Sequence, residues 1–514
     1  MNVFIFSPYA TVVPHFETEL EIAQQHLDGG DQVTFIECLG ELENCDFNPS
    51  LDPERCQSCR GRRYMGQEML TPAANRISFA QIEQRLLTNQ EAADDVLPRL
   101  KTVFNSLEEL IEYRIDDFDI GYAALSSLVS QCRDPEPDLI KHADLLQRFL
   151  RSAYRCYAAA RHFLSQHQPD VVYLFNGRFA AMRAIFRAAE AVGVECKIHE
   201  RGCDGQHYSL YNNHLPHDLD AIEKIIVSHW EAVDSADSAD SIDSIDSKEL
   251  EESRENRIQR ERLAEQWYLD RVNRVEQSWH SFVTGQVQGK LPDNWEPNCH
   301  NVVLFNSSDD EFVAIGDCWK QQLYPNQVIA IEKLAAGLWH SHPQTRLTVR
   351  VHPNLKEIDN QRKQALMNLR SPNLRIIPAD SAIDSYALIA ASNWVVSFGS
   401  TVGIEATFWD RPSLLLGPSF YQNLGSNYRV ESHQQAVDCL VRSLPPMPKI
   451  GALKYGYWRQ TFGIPHRYFE ASGLFEGEFK GQTLYERPPK KTLLRRLKSE
   501  IKNGLDRVMG RRHK

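Results

Sequence analysis

In the segment "NWVVSFGSTVGIEATFWDRPSLLLG", residues 393–417, an apolar run from Trp394 to Phe398 stops at Gly399-Ser400-Thr401, and a helix-compatible stretch begins at about Val402. Gly399 permits a tight turn as the strand ends. Ser400 and Thr401 then set two hydroxyls beside the first backbone N–H groups of a helix, which have no intrahelical partner and sit at the positive end of the dipole. That combination suits a phosphate group. Glu405, one turn further on, is placed to accept hydrogen bonds from a ribose. The same residues would also make a plain N-cap with a capping carboxylate.

Other strand ends carry matching chemistry. "LTVRVHPNL" delivers Arg350 and His352 together, and Pro353 stops the strand there. "LFNSSDDEF" ends an apolar run in Asn306, Ser307 and Ser308, followed by Asp309, Asp310 and Glu311. Hydroxyls, a cation, an imidazole and carboxylates thus converge on one predicted sheet edge. In the first half, "VVYLFNGRFAAMRA" places Asn176, Gly177 and Arg178 between a strand and a helix, and "CKIHERGCDGQHY" places His199, Glu200, Arg201, Gly202 and Asp204 after the next strand. Glu200 beside Arg201 reads as a general base or as an ion pair that fixes the loop. His15, in "SPYATVVPHFETE", reads as a base or as a structural residue at a helix start.

The elements that must position these residues alternate short apolar runs with helical patterns, the signature of parallel α/β sheets. Strands are expected at Val3–Ser7, Gln32–Cys38, Val171–Asn176, Cys196–His199 and Lys224–Ser228. A second set is expected at Val302–Asn306, Arg346–His352, Leu374–Ile377, Trp394–Phe398 and Ser413–Leu416. Helices are expected at Phe16–His26, through a long region around 77–165, and at Ala180–Ala191. In the second half they fall at Gln327–Ser341, Glu357–Leu369, Ile383–Ala391 and Val402–Phe408. At 514 residues the chain exceeds one typical core. The low-complexity "VDSADSADSIDSIDSK" and the charged helical run after it, within 231–299, divide it into an N-terminal domain of 1–230 and a C-terminal domain of 300–470. Two doubly wound domains facing a central cleft would bind a ligand at the carboxyl ends of both sets of strands.

Cys38, Cys45, Cys56 and Cys59 cluster in one segment, the last two as Cys-x-x-Cys. Four thiolates satisfy tetrahedral zinc, so they are a candidate structural zinc set; the alternative is a loop of reduced cysteines. The net charge is −12, yet residues 488–514 carry ten Lys/Arg against Glu500 and Asp506, which leaves −20 on the rest. An acidic body argues against nucleic acid as the main partner. In the basic tail Leu494, Leu497, Ile501, Leu505 and Val508 share one helical face, the pattern of a helix on an anionic membrane surface; the alternative is a solvated tail. No run approaches a membrane span, and "MNVFIFSPYA" reads as a first strand rather than a signal peptide, so a cytoplasmic protein, peripheral at the membrane's inner face, is expected.

The Ser-Thr-x-Gly-x-Glu-Ala segment followed by "RPSLLLG", the Arg-x-His-Pro strand end and "NSSDDEF" resemble bacterial capsule and lipopolysaccharide biosynthesis glycosyltransferases of the two-Rossmann (GT-B) type. "FNGR" and "HERG" resemble first-domain motifs of the same group. The resemblance covers roughly 1–230 and 300–470 and is weakest across the helices of 80–160 and the repeat. The His-Pro and Ser-Thr pairs are also similar to those of sialyl- and Kdo-transferases and of teichoic-acid polymerases. It implies His352, Ser400 and Thr401 on the phosphates of a nucleotide-sugar donor, with Ser307, Ser308, Arg350 and Gly399 nearby and Glu405 toward the ribose. Asn176, Arg178 and Arg201 would lie on the side of a growing or lipid-linked glycan acceptor. It does not fix the base, for which His15, Glu200, Asp204, Asp309, Asp310 and Glu311 stand as candidates. No Asp-x-Asp stands where a metal-dependent transferase of the single-Rossmann type would need one, and "DDEF" is a run of adjacent acidic residues rather than that motif, so no metal is expected in the chemistry. Related readings are a nucleotide-sugar epimerase, a polyol-phosphate transferase and a degenerate transferase acting as a scaffold. The aromatic run "YGYWRQTFGIPHRYF" is expected to pack a C-terminal helix back onto the first domain.

Overall fold

The computed structural model describes residues 1–87, 100–236, 247–277, 283 and 285–484. The basic tail and the centre of the Asp/Ser repeat lie outside the described residues. In chain order the strands of the first half are β1 (Asn2–Ser7), β2 (Gln32–Glu37), β3 (Asn75–Ser78), β4 (Val171–Phe175), β5 (Glu195–Arg201) and β6 (His207–Asn212). Those of the second half are β7 (His300–Phe305), β8 (Thr345–Arg350), β9 (Leu374–Ile377), β10 (Trp394–Ser397) and β11 (Ser413–Leu415), followed by β12 (Ile464–Pro465), β13 (Phe469–Gly473) and β14 (Glu476–Phe479).

Two parallel sheets organise the chain. The first has the order β12-β6-β5-β4-β1-β2-β3, with β6 and β12 antiparallel at its edge, and the second has the order β11-β10-β7-β8-β9. Each contains five parallel strands that fan out from a first central strand, the doubly wound arrangement of a dinucleotide-binding half. The reason lies in the residues. β4 and β10 are buried along their whole length and are built from Val, Tyr, Leu, Phe, Trp and Ser, which only a strand covered on both faces tolerates. The strand order reverses between β1 and β4, and again between β7 and β10, so each sheet opens a crevice at those carboxyl ends.

The sheet edge departs from the sequence reading in three places. Lys224–Ser228 is not a strand but part of the helix Leu219–Ala236, whose Ile222, Ile226 and Trp230 recur at four-residue spacing on a buried face. β3 takes one edge of the sheet, and β6 with β12 extends the other. The chain after Thr461 also leaves the second half, since Ile464–Pro465 pairs with β6 and Glu21 accepts the backbone N–H groups of Arg467, Tyr468 and Phe469.

The halves are joined by helices as well. The linker helix Ser247–Val272 packs on Ile450–Thr461, where a Cβ on Gly456 would lie 2.5 Å from the Ala264 carbonyl oxygen. Tyr455, Trp458 and Phe462 are buried in the same core as first-half residues, which is the packing role expected of that aromatic run. Across the cleft Tyr122 donates to Asp317 at 2.6 Å, and Arg183 donates to the Ile315 carbonyl at 2.9 Å. No described helix is long and apolar enough to cross a membrane.

Candidate active site

A cavity of about 310 Å³ opens at the carboxyl ends of β7, β8 and β10, where the second sheet's strand order reverses. Its floor is the turn after β10. Gly399 has φ +113°, and a Cβ there would stand 2.4 Å from the Pro418 carbonyl oxygen, so the turn admits only glycine. Ser400 and Thr401 follow, and the carbonyls of both accept the first hydrogen bonds of the helix Val402–Phe408. Tyr421 fixes the turn from behind by donating to the Ser400 carbonyl at 2.5 Å. Gly399, Ser400 and Thr401 all line the cavity.

His352 lines it from β8. Its backbone N–H donates to Asn306 Oδ1 at 2.8 Å, and its Nδ1 accepts the Asn354 N–H at 3.2 Å. With Nδ1 an acceptor, the neutral ring carries its proton on Nε2. Burial, with Arg350 and Arg133 adding to it and Asp310 opposing, lowers its pKa to about 4, so the ring is neutral at physiological pH. Arg350 also lines the cavity, but two of its N–H groups serve the wall: they donate to the carbonyls of Pro378 and Ser381. Burial lowers its pKa to about 10, which leaves it charged near neutrality.

Glu405 does not turn toward a ribose. It is fully buried, and its oxygens accept from Arg271 Nε at 2.9 Å, Thr401 Oγ1 at 2.8 Å and Tyr386 OH at 2.7 Å. The carboxylate anchors other groups: Arg271 and Tyr386 line the cavity, and Arg271 reaches Thr401 Oγ1 at 3.2 Å. The sequence did not single out Arg271, because it sits in a charged helical run where one arginine resembles the next. The stacked pair Phe312 and Trp319, with ring centroids 4.9 Å apart, forms an aromatic wall opposite.

Of the acidic residues after β7, only Glu311 lines this cavity, beside Ser307 and Ser308. Asp310 is ion-paired with Arg133 and accepts from Ser308 Oγ, while Asp309 accepts from Gln327; both line a small neighbouring cavity. Burial raises Asp309 to about 6. Burial also raises Glu311, with Asp310 adding to the shift, while Asn354 holds its Oε1 at 2.6 Å.

The first-half residues form a separate cluster at the ends of β1, β4 and β5. Asn176 has φ +60°, and its Nδ2 donates to Glu200 Oε1 at 2.6 Å. Arg201 donates to the Val13 carbonyl at 2.7 Å, and the His15 ring lies 3.9 Å from that of Phe175. Burial, then Arg201 and His199, drives the His15 pKa well below the ordinary histidine value. None of these residues lines the 310 Å³ cavity. Arg178 connects the two clusters by donating to the Glu311 carbonyl at 3.0 Å. Asp204 falls outside both, on the turn between β5 and β6, where it accepts from His207 at 2.6 Å with its side chain 47% exposed. It therefore has neither the burial nor the neighbours of a base in the cleft.

Cys38, Cys45, Cys56 and Cys59 line one cavity of about 290 Å³, yet they do not close on a single ion. Among the described residues only Cys203, Asp204 and His207 bring three ligand atoms within 4.8 Å of one another.

No family model matches the sequence, and no curated protein matches it. Among solved structures the chain is similar to the beta Kdo 2,4 transferase of Thermosulfurimonas dismutans, at 12% identity over 56% of this chain and 80% of that one, with a TM-score of 0.34. It is similar to the glycosyltransferase of kitacinnamycin at 11% identity over 89% and 94%, with a TM-score of 0.24. To a UDP-GlcNAc 2-epimerase from Neisseria meningitidis the identity is 9% over 88% and 96%, with a TM-score of 0.28. At such scores the two-sheet architecture rests on the strand orders themselves.

Proposed function

We propose that this chain is a glycosyltransferase that moves a sugar from a nucleotide-activated donor to a growing or lipid-linked glycan of a bacterial surface polysaccharide. The observation that carries this reading is the company at the strand-order reversal of the second sheet. There the Ser400–Thr401 turn, the neutral His352 and the partly buried Glu311 surround one cavity. The motif resemblance described above supports the same reading.

In this reading the donor's phosphates rest on the turn after Gly399, and His352 contributes a neutral N–H donor. Arg271, anchored by Glu405, and Arg350, anchored by loop carbonyls, supply fixed positive charge to the phosphate that leaves as the sugar's anomeric C–O bond breaks. Glu311 accepts the proton of the attacking acceptor hydroxyl. Its raised pKa suits it to that task near neutrality. The aromatic wall of Phe312 and Trp319 excludes water, whose attack on the donor is the competing reaction. The acceptor lies toward Arg178, Glu200 and His15, and the basic tail of 488–514 holds the protein to an anionic membrane surface.

The test is thermal stability of the purified chain against UDP, GDP, CDP and CMP, each alone and as the nucleotide sugar. A ligand at 100 times its Kd adds about 2.7 kcal/mol, enough for a clear rise in Tm. One nucleotide should stabilise the wild type and not His352→Ala. Turnover of that nucleotide sugar should then require an added glycan acceptor. Conversion of the sugar without acceptor would replace this reading with an epimerase, and no stabilisation by any nucleotide would remove the donor site.

A further inference from the structure

Fifteen residues, 38–52, run between β2 and the helix Pro53–Glu68 without regular secondary structure. Irregular segments of that length inside a folded domain usually have their own source of order. Among the described residues this one has few backbone bonds of its own, Asn48 N–H to Cys45 and Leu51 N–H to Asn48 among them. It does carry two cysteines, Cys38 and Cys45, that face Cys56 and Cys59 of the helix across the cavity of about 290 Å³.

The geometry is wrong for one tetrahedral ion, yet all four thiols border one cavity. Tetrahedral zinc with Zn–S bonds near 2.3 Å holds its sulfurs about 3.8 Å apart. No three of these four sulfurs lie within 4.8 Å of one another, although all four residues border the same space. The sulfurs are also met by N–H donors. Ala10 N–H reaches Cys59 Sγ at 3.3 Å, Gly40 N–H reaches Cys38 Sγ at 3.3 Å, and Asn48 Nδ2 reaches Cys56 Sγ at 3.3 Å. Arg63 adds a longer contact to Cys59 at 3.8 Å, and Arg55 and Arg60 stand on the cavity wall as counter-charge. Tyr9, Leu42, Phe47 and Leu51 supply the apolar remainder. Donors to sulfur, nearby positive charge and an apolar shell are what a thiolate-bound cluster needs from its protein.

We propose that Cys38, Cys45, Cys56 and Cys59 hold an iron–sulfur cluster that fastens the 38–52 segment to the helix Pro53–Glu68. The cluster's place is structural, behind the first-half residues of the cleft. Phe47, on its wall, meets Phe175 and Phe179 at 6.4 and 6.3 Å between ring centroids, and Phe175 in turn meets His15. This assignment is independent of the transferase reading.

The experiment is purification of the full chain without oxygen, reconstitution with ferrous iron and sulfide, and measurement of iron, zinc, acid-labile sulfide and the visible spectrum. Iron and sulfide in equal amounts, with a broad visible absorption, are expected. Cys56→Ser and Cys59→Ser should lose most of both while the far-ultraviolet circular dichroism is kept, and Cys318→Ser, elsewhere on the surface, should lose neither. Zinc bound stoichiometrically in place of iron would overturn the cluster assignment, as would a colourless, metal-free protein. Iron retained undiminished in both cysteine variants would overturn it equally.

Discussion

Arg178 Nη1 donates to the backbone carbonyl of Glu311 at 3.0 Å, and this bond ties a residue at the end of β4 to the loop after β7. Its acceptor is the one acidic residue of that loop that lines the larger cavity. Burial lowers the Arg178 pKa, and Glu311, Glu200, Asp46 and Asp310 act against that shift. Arg178 in turn is among the cations that hold Glu311 below the value burial alone would give it. The two halves of the molecule are therefore coupled through a charge as well as through packing.

If Glu311 is the base of the proposed transferase, that coupling sets the acid limb of the pH–rate profile. Glu311 must be ionised to accept a proton, and burial raises its pKa, so activity falls as the pH drops through that raised value. Arg178→Met removes a cation that favours the carboxylate. The limb should move to higher pH in that variant and disappear in Glu311→Gln, whose rate should fall about 100-fold or more at neutral pH. A limb that stays in place in both variants would assign the proton to another group.

Asp309 gives a stability prediction of definite sign. Its folded pKa is about 6, above the usual carboxylate value, because it is buried. The folded state therefore binds the extra proton between about pH 4 and 6, and stability falls as pH rises through that window. Asp309→Asn should flatten that part of the curve and stabilise the protein by about 1–2 kcal/mol at pH 7.5, read from urea unfolding at several pH values.

Much of this was legible in the chain. The five strands of the second sheet were expected close to where they stand, because continuous apolar runs bounded by Gly, Pro and Asn leave few alternatives. Lys224–Ser228 was misread because "IIV" has strand composition, while its neighbours Ile222 and Trp230 carry helical spacing. β3 escaped notice because two of its four residues are exposed. At the site, spacing located Ser400, Thr401 and His352 but could not tell which way Glu405 points. Its partners Arg271 and Tyr386 come from distant segments, and pairings of that kind leave no local pattern. The same limit applies to Asp204, which spacing placed beside Glu200 and the hairpin carries away from the cleft.

The Glu405–Arg271 pair predicts a separation of stability from chemistry. Glu405 is fully buried and satisfies three donors, so Glu405→Ala strands a cation and two hydroxyls. Removing one partner of a buried pair costs about 3–5 kcal/mol. Arg271 is 22% exposed in its side chain, so Arg271→Met, which keeps much of the packing over Trp267, should cost less than Glu405→Ala. It should still remove most donor binding. Chemical denaturation and nucleotide-induced Tm shifts on the two variants separate the anchoring carboxylate from the cavity-lining cation.

Gly399 tests whether the turn itself is the phosphate cradle. A Cβ at this position would stand 2.4 Å from the Pro418 carbonyl oxygen, and φ +113° is strained for any other residue. Gly399→Ala must shift the backbone between β10 and the helix Val402–Phe408, carrying Ser400 and Thr401 with it. The fold should survive at a cost of about 2–3 kcal/mol, since the clash is confined to one turn. Nucleotide affinity should fall at least as far as in Ser400→Ala, because the alanine displaces both hydroxyls and their N–H groups where the serine change removes one. Isothermal titration of the two variants with the stabilising nucleotide decides the point. Equal affinity for Gly399→Ala and wild type would place the phosphates on His352, Arg271 and Arg350 instead.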